Sequence, residues 1–156
     1  MIQEAYKLQT DSTQRIYFFE STSPERTIKK VIQFEELVDR PNLPSLSMKE
    51  IYNIGFGDVD DETGEVSDTI DSKNGDKDKV LRTVALSVLK FLNAYPTVAV
   101  YAEGSTKSRI REYQMSLSRS YDELVENYVI HGLLKDGSWS LFERNINYYA
   151  FVVYRR

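Results

Sequence analysis

The residues best suited to chemistry stand where an apolar run gives way to a small, polar and basic segment. Residues 98–102 form a strand-like run, Gly104 and Ser105 follow it, and Arg109 and Arg111 come one helical turn later. A strand that ends at Gly-Ser and restarts as a helix presents free backbone N–H groups and the positive end of a helix dipole. These features favour an anion, so the sequence predicts an anion-binding site at this turn.

A second helix start carries groups of the same kind. Asn74 and Gly75 form a turn signal, Asp76 stands at the position of an N-cap, and Lys77 follows it. If the two helix starts meet in the fold, Lys77 joins the anion-binding site. Asp76 or Glu103 would then be available to move protons as an acid or a base.

The same residues also have a purely structural interpretation. In it, Asp76 and Ser105 only cap the two helices, and the glycines beside them only form turns. The arginines then pair with Glu112 or with other acids. A binding site differs from this alternative because its side chains must surround one cavity.

Other candidate groups do not complete a catalytic or metal site. The sole histidine, His131, stands in an apolar strand pattern, which favours a structural role. The acidic segment that starts at Asp58 fails the calcium-loop spacing, because Thr63 stands where glycine is needed and Thr69 where the closing acid is needed. The sequence therefore predicts no metal and no cofactor, and it predicts an exposed acidic loop that offers a surface to a partner.

Composition restricts the class of protein. The 156 residues predict a single domain over residues 1–156, and 41% hydrophobic with 28% charged residues is typical of a globular chain. Cysteine is absent, which excludes disulfides and thiolate chemistry, and neither a leader pattern nor a membrane-length apolar run is visible. The net charge of −4 disfavours non-specific binding to DNA. These features predict a cytoplasmic protein without a membrane segment.

Hydrophobic spacing predicts strands in both outer parts of the chain and two helices between them. One helix has apolar residues at positions 81, 84, 85, 88, 89 and 92 and ends before Pro96. The second covers about 106–127, and a break near 118–120 would divide it. This order predicts an α+β or mixed α/β fold, with a largely antiparallel sheet, two main helices packed on one face and room for one parallel pairing.

The aromatic segment at residues 148–154 predicts an unusual strand. Alternation places Tyr149 and Phe151 on one face and Tyr148 and Tyr154 on the other, so both faces are apolar. Such a strand is either central in its sheet or covered by a partner, and the second case predicts a homodimer through this strand. Stacking of single-stranded RNA bases on these rings is a further alternative, although core packing is the commoner explanation.

Three segments together resemble a known group of proteins. They are residues 74–84 (NGDKDKVLRTV), residues 104–113 (GSTKSRIREY) and residues 55–58 (GFGD). With them, most of the chain resembles a family of small bacterial proteins, found mainly in Bacteroidetes, that has a domain of unknown function. The resemblance implies a bacterial source, and it supplies neither an activity nor catalytic residues.

With no complete catalytic signature, the sequence favours a cytosolic bacterial binding or interaction protein. Its partner is another protein or a small anionic ligand at the turn of Gly104 and Ser105. A role in toxin–antitoxin, phage-defence or counter-defence systems is an expectation by analogy with size and class alone. The alternative is an enzyme that acts on a nucleotide or RNA, with Arg109 and Arg111 holding phosphate.

Overall fold

The structure, a computed structural model, describes residues 5–39, 41–43, 46, 49–67, 74–104 and 106–156. Within these ranges, nine strands form one sheet and two helices pack against it, which confirms the predicted α+β fold. The elements are β1 (Gln9–Thr10), β2 (Ile16–Thr22), β3 (Thr27–Glu36), β4 (Ile51–Val59), β5 (Val66–Ser67), α1 (Lys77–Ala94), β6 (Ala99–Ala102), α2 (Lys107–Leu124), β7 (Tyr128–Leu133), β8 (Trp139–Leu141) and β9 (Phe151–Arg155).

The sheet has a single parallel pairing among its described strands. The strand order is β1-β2-β3-β4-β6-β9-β7-β8, and β5 pairs with β4 beside this path. β4 and β6 run parallel, with Ile51 opposite Ala99 and Asn53 opposite Tyr101. Parallel neighbours need a long crossover, and the chain supplies it through β5 and α1. The carboxyl ends of β4 and β6 therefore point toward the same edge of the sheet.

α1 buries the apolar stripe that its sequence predicts. Phe91 and Leu92 have no exposed surface, and the Phe91 ring stacks on Phe34 of β3 with the ring centroids 4.1 Å apart. Such a pair contributes about 0.5–1.5 kcal/mol beyond the burial of its area. The helix ends at Ala94, just before Pro96, as predicted. This packing fixes α1 against the sheet and so fixes where α1 begins.

α2 is one continuous helix, so the break near 118–120 was a wrong prediction. Its N-cap is Thr106, whose hydroxyl accepts a hydrogen bond from the Arg109 N–H at 3.1 Å. The capping residue is therefore one position later than Ser105, which lies outside the described residues. Leu124 is the one residue of α2 that is buried, so α2 is a more superficial layer than α1. Neither described helix is long and apolar enough to cross a membrane.

The face of the sheet away from the helices has a smaller apolar cluster, part of which is covered by Leu46. Beside it lie four aromatic side chains, which we call the aromatic face: Tyr101, His131, Trp139 and Tyr154. The Tyr101 and Trp139 rings have their centroids 6.2 Å apart, and the His131 and Tyr154 rings 5.7 Å apart. These side chains pack largely on one another.

β9 lies in the middle of the sheet, between β6 and β7. Phe151, Val152 and Val153 are all buried, so the chain itself covers both faces of the aromatic strand. The strand begins later than predicted because the Tyr148 N–H donates to Gln114 Oε1 of α2 at 3.2 Å rather than to a neighbouring strand. A homodimer through the aromatic segment stays a prediction, and it would have to use Tyr149, which is 50% exposed, since both edges of β9 are paired.

Candidate anion-binding site

The starts of α1 and α2 come together beside Phe56, inside β4, and beyond the carboxyl end of β6. A cavity of about 680 Å³, which we call the main cavity, lies there between the first turns of α1, Phe56 of β4, and Arg109 and Glu112 of α2. In open sheets with parallel strands, ligands commonly bind in the crevice at the carboxyl ends of those strands. Small-molecule sites typically measure about 300–1,000 Å³. The volume of the main cavity therefore lies in the range of small-molecule sites.

The main cavity is locally basic although the chain has a net charge of −4. Five cations and three carboxylates border it within the described part of the chain. They are Lys30, Lys77, Lys79, Arg82 and Arg109, with Asp76, Asp78 and Glu112. A local excess of positive charge between low-dielectric walls raises the concentration of anions there.

Arg109 has a fixed place in the wall of the main cavity. Its side chain is 17% exposed, and its guanidinium lies over the Phe56 ring at 5.2 Å from the centroid. The Lys30 ammonium lies over the same ring at 5.8 Å and donates a hydrogen bond to Asp58. A cation on an aromatic face gains about 0.5–2 kcal/mol. The Phe56 ring therefore holds two cations.

Glu112 connects the two helix starts. Its Oε1 lies 3.0 Å from Lys77 Nζ, and its Oε2 lies 4.0 Å from Arg109 Nε. The structural alternative, in which Arg109 pairs with Glu112, therefore describes a real contact. The sequence did not predict that the same carboxylate also reaches Lys77 of α1. Glu112 lies where an incoming anion would contact these two cations, so it competes with such an anion.

Asp76 stands at the N-cap of α1, as predicted, but its side chain does not cap the helix. Its carboxylate instead accepts hydrogen bonds from the Tyr6 and Ser21 hydroxyls, and the Asn74 amide donates to Ser21 Oγ. These contacts fasten the start of α1 to β2. The N–H groups in the first turn of α1 therefore donate no hydrogen bond to this carboxylate.

A second, smaller cavity adjoins the main one. We call it the polar pocket; its volume is about 160 Å³, and Asn53, Glu103 and Gly104 border it. It shares Phe56 and Arg109 with the main cavity, so the two spaces are neighbours. The two cavities together offer a cationic region and, beside it, a smaller polar region that contains the Glu103 carboxylate.

Gly104 is required for the close approach of α2 to the polar pocket. A Cβ atom on this residue would lie 2.4 Å from the backbone nitrogen of Ile110. No flexible side chain can relieve that contact, because the atom belongs to the first turn of the helix. The glycine therefore serves packing, and it does not adopt a left-handed backbone conformation.

Glu103 borders the polar pocket with acceptor capacity to spare. It accepts a hydrogen bond from the Tyr101 hydroxyl at 3.0 Å. Burial, together with this carboxylate, raises the pKa of Tyr101 to about 12, so the phenol stays protonated and donates at neutral pH. A carboxylate has about four acceptor positions, and this bond uses one of them. Glu103 is thus able to accept hydrogen bonds from a ligand in the pocket.

The structure brings five of the predicted site residues to the two cavities: Lys77, Gly104, Arg109, Asp76 and Glu103. Arg111 is exposed on α2 and is not among the described residues that border them. Ser105 lies outside the described residues.

His131 belongs to the aromatic face and borders neither cavity. Its Nε2 lies 3.1 Å from the Tyr154 hydroxyl. Burial lowers the pKa of His131, so its imidazole is neutral near pH 7. This environment agrees with the structural role that the sequence favoured.

Two residues of the main cavity were missed in the sequence. Lys30 stands among Ile28 and Ile32 in the alternation of β3, and a lysine in the apolar phase of a strand is a signal of a buried charge. Phe56 carries no signal of its own in the sequence beyond its place in the segment at residues 55–58. Its role depends on contacts with Lys30 and Arg109, which are far away in the sequence.

Comparison with known proteins gives a family and no activity. The chain belongs to a family of unknown function, DUF6934, whose model matches residues 2–156. No curated protein and no solved structure matches the chain. The function must therefore be argued from the site itself.

Proposed function

We propose that this member of the DUF6934 family binds a phosphate-bearing small molecule in the main cavity. The observation that carries the proposal is the position of Arg109, which borders both cavities at the point where the two helix starts meet. A guanidinium offers planar, paired donors that match phosphate oxygens. Because the Phe56 ring holds this guanidinium, little side-chain freedom remains to be lost on binding.

The surroundings of Arg109 support a ligand with negative charge. Lys77 is the first residue of α1, and its side chain is 61% exposed, so it can turn toward a ligand. The start of α1 adds the partial positive charge of the helix dipole, which the Asp76 and Asp78 carboxylates reduce but which no side-chain hydrogen bond from Asp76 caps. An anion in the main cavity would thus contact the oriented Arg109 guanidinium, the exposed Lys77 ammonium and the N-terminus of α1.

The geometry favours binding over catalysis. Ser21 is fully buried, and the Asp76 carboxylate is engaged by two hydroxyls, so neither is positioned to react with a ligand. An enzyme that acts on a nucleotide or RNA stays the alternative proposal, and Glu103 would be its acid or base because this carboxylate borders the polar pocket. Binding of a protein partner and a role in toxin–antitoxin or phage-defence systems stay predictions.

A comparison of two arginine variants tests the proposal. Millimolar inorganic phosphate should raise the melting temperature of the wild type at constant ionic strength, since a ligand at about 100 times its Kd adds roughly 2.7 kcal/mol to the free energy of unfolding. In Arg109→Gln this shift should disappear. Arg111→Gln is the matched control, because Arg111 is an exposed arginine of the same helix, and it should keep the shift.

The phosphate-induced shift, and not the melting temperature of the free protein, is the informative quantity. Arg109→Gln also removes the contact with Phe56, which costs stability without any ligand. The proposal is wrong if phosphate does not stabilise the wild type, or if both variants respond to phosphate as the wild type does.

A further inference from the structure

We propose that the polar pocket binds the hydroxyl-bearing part of the same ligand, and that Glu103 accepts hydrogen bonds from those hydroxyls. The ligand is then a sugar phosphate or a nucleotide rather than a simple anion. This inference rests on the proposed function, because the phosphate group must lie in the main cavity next to Arg109.

The size and position of the polar pocket fit a second part of one ligand. Its volume of about 160 Å³ is roughly ten times the 10–15 Å³ that one water molecule needs. Arg109 and Phe56 border both spaces, so a molecule that contacts Arg109 through its phosphate reaches the polar pocket with its next atoms. The pocket thus has room for a ring-sized group directly beside the phosphate.

The chemistry of the pocket selects a group with hydrogen-bond donors. The Glu103 carboxylate can only accept hydrogen bonds, and the Tyr101 hydroxyl occupies one of its acceptor positions at 3.0 Å. Asn53 offers both a donor and an acceptor. A second anionic group would be repelled by Glu103, whereas neighbouring sugar hydroxyls would donate to it. An acidic side chain that accepts from ribose hydroxyls is a common means of recognising nucleotides.

A three-ligand titration of the full chain tests the inference. Inorganic phosphate, 2-deoxyribose 5-phosphate and ribose 5-phosphate are titrated by calorimetry at constant ionic strength into the wild type and Glu103→Gln. We expect ribose 5-phosphate to bind the wild type about tenfold more tightly than inorganic phosphate, since hydrogen bonds to a charged acceptor have this strength. The deoxy sugar should bind less tightly than ribose 5-phosphate.

Glu103→Gln should lose most of the preference for ribose 5-phosphate while it binds inorganic phosphate no less tightly than before. The matched control is Glu126→Gln, an exposed acid at the far end of α2, which should keep the preference. The inference is overturned if the wild type binds phosphate but prefers neither sugar, or if Glu103→Gln weakens all three ligands equally. If the wild type binds none of the three, the proposed function itself is overturned.

Discussion

The main cavity and the aromatic face both hold side chains capable of chemistry, yet they are built in different ways. On the aromatic face, the groups pack against and bond to one another: His131 bonds to Tyr154, and the Tyr101 ring packs against Trp139. At the main cavity, five cations surround a space, and the nearby Glu112 carboxylate approaches two of them. Side chains that face a space are available to a ligand, whereas side chains that fill a space serve stability.

A hydrogen bond links the two regions: it runs from Tyr101 of the aromatic face to Glu103, which borders the polar pocket beside the main cavity. The difference between them therefore lies in packing and not in residue type, because both regions contain titratable and hydrogen-bonding groups. Histidine is a more familiar catalytic residue than arginine. The surroundings of the two residues nevertheless make Arg109 the stronger candidate for a functional site and His131 the weaker one.

The largest expected effect concerns the backbone at Gly104, between β6 and α2. Gly104→Ala should lower the free energy of unfolding by about 1–3 kcal/mol, because the new Cβ would lie 2.4 Å from the Ile110 nitrogen. At roughly 2–4 °C per kcal/mol for a chain of this size, the melting temperature should fall by about 5 °C. Thermal denaturation followed by circular dichroism measures this change.

Gly55→Ala is the matched control for this substitution. Gly55 also borders the polar pocket, but a Cβ there would meet nothing closer than the Gln33 oxygen at 3.9 Å. It should therefore melt close to the wild type. Equal melting temperatures of the two variants would show that the start of α2 can move away from a Cβ atom at position 104, so that the packing there is not tight.

An intermediate effect concerns the acid that competes for the cations of the main cavity. Glu112→Gln should bind inorganic phosphate roughly fivefold more tightly, because removal of one carboxylate from the neighbourhood of Lys77 and Arg109 is equivalent to about 1 kcal/mol. The free energy of unfolding should change little, since Lys77 is 61% exposed and Arg109 Nε lies as far as 4.0 Å from the carboxylate, so both ion pairs are weak. Calorimetric titration measures the affinity.

The control for Glu112→Gln is again Glu126→Gln, which should leave the phosphate affinity unchanged. Weaker binding by Glu112→Gln would mean that this carboxylate orients Lys77 and Arg109 for the ligand. In that case the main cavity would resemble the aromatic face, where the side chains depend on one another for their positions.

The smallest effect concerns the aromatic face and pH. Burial lowers the pKa of His131 from its usual 6.5, and its Nδ1 is buried without a partner among the described atoms. As pH falls below about 6.5, the unfolded chain takes up a proton at this position before the folded chain does, so acid lowers stability. Between pH 7.5 and 5.5 the melting temperature should fall about 1–3 °C more in the wild type than in His131→Gln.

This pH experiment has its own internal check. Phosphate binding by His131→Gln should equal that of the wild type at pH 7.5, because His131 borders neither cavity. If the melting temperatures of the two proteins change equally with pH, protonation of the His131 imidazole does not destabilise the folded chain. If His131→Gln loses phosphate binding, the aromatic face and the main cavity are coupled.

Local sequence patterns predicted much of the fold. The apolar residues of α1 recur with the helical period alone, so the sequence was enough to predict the position of the helix and its end before Pro96. The two-faced apolar pattern of β9 predicted a central strand, and that alternative is confirmed. The parallel pairing of β4 and β6 was foreseen only as a possibility, because strand pairing is a long-range property.

The site was predictable only where local signals mark it. Glycine and polar residues at the two helix starts indicated Gly104, Asp76 and Lys77, because turns and caps depend on neighbours in the sequence. The sequence did not show that Asp76 would bond to Tyr6 and Ser21, which lie 70 and 55 residues away. Arg109 and Arg111 look alike in the sequence, and only the direction of α2 against the sheet distinguishes them.

The central position of β9 has a consequence for the order in which the molecule assembles. β6 and β7 are separated by β9 and pair with it on its two sides. Until residues Phe151–Arg155 have been synthesised, the strands before them form two blocks, each with an open edge at the future centre of the sheet. The blocks join through contacts that are distant in the sequence, which makes this step slow and leaves unpaired strand edges exposed meanwhile. A chain that stops short of β9 would retain both edges, and open strand edges promote aggregation.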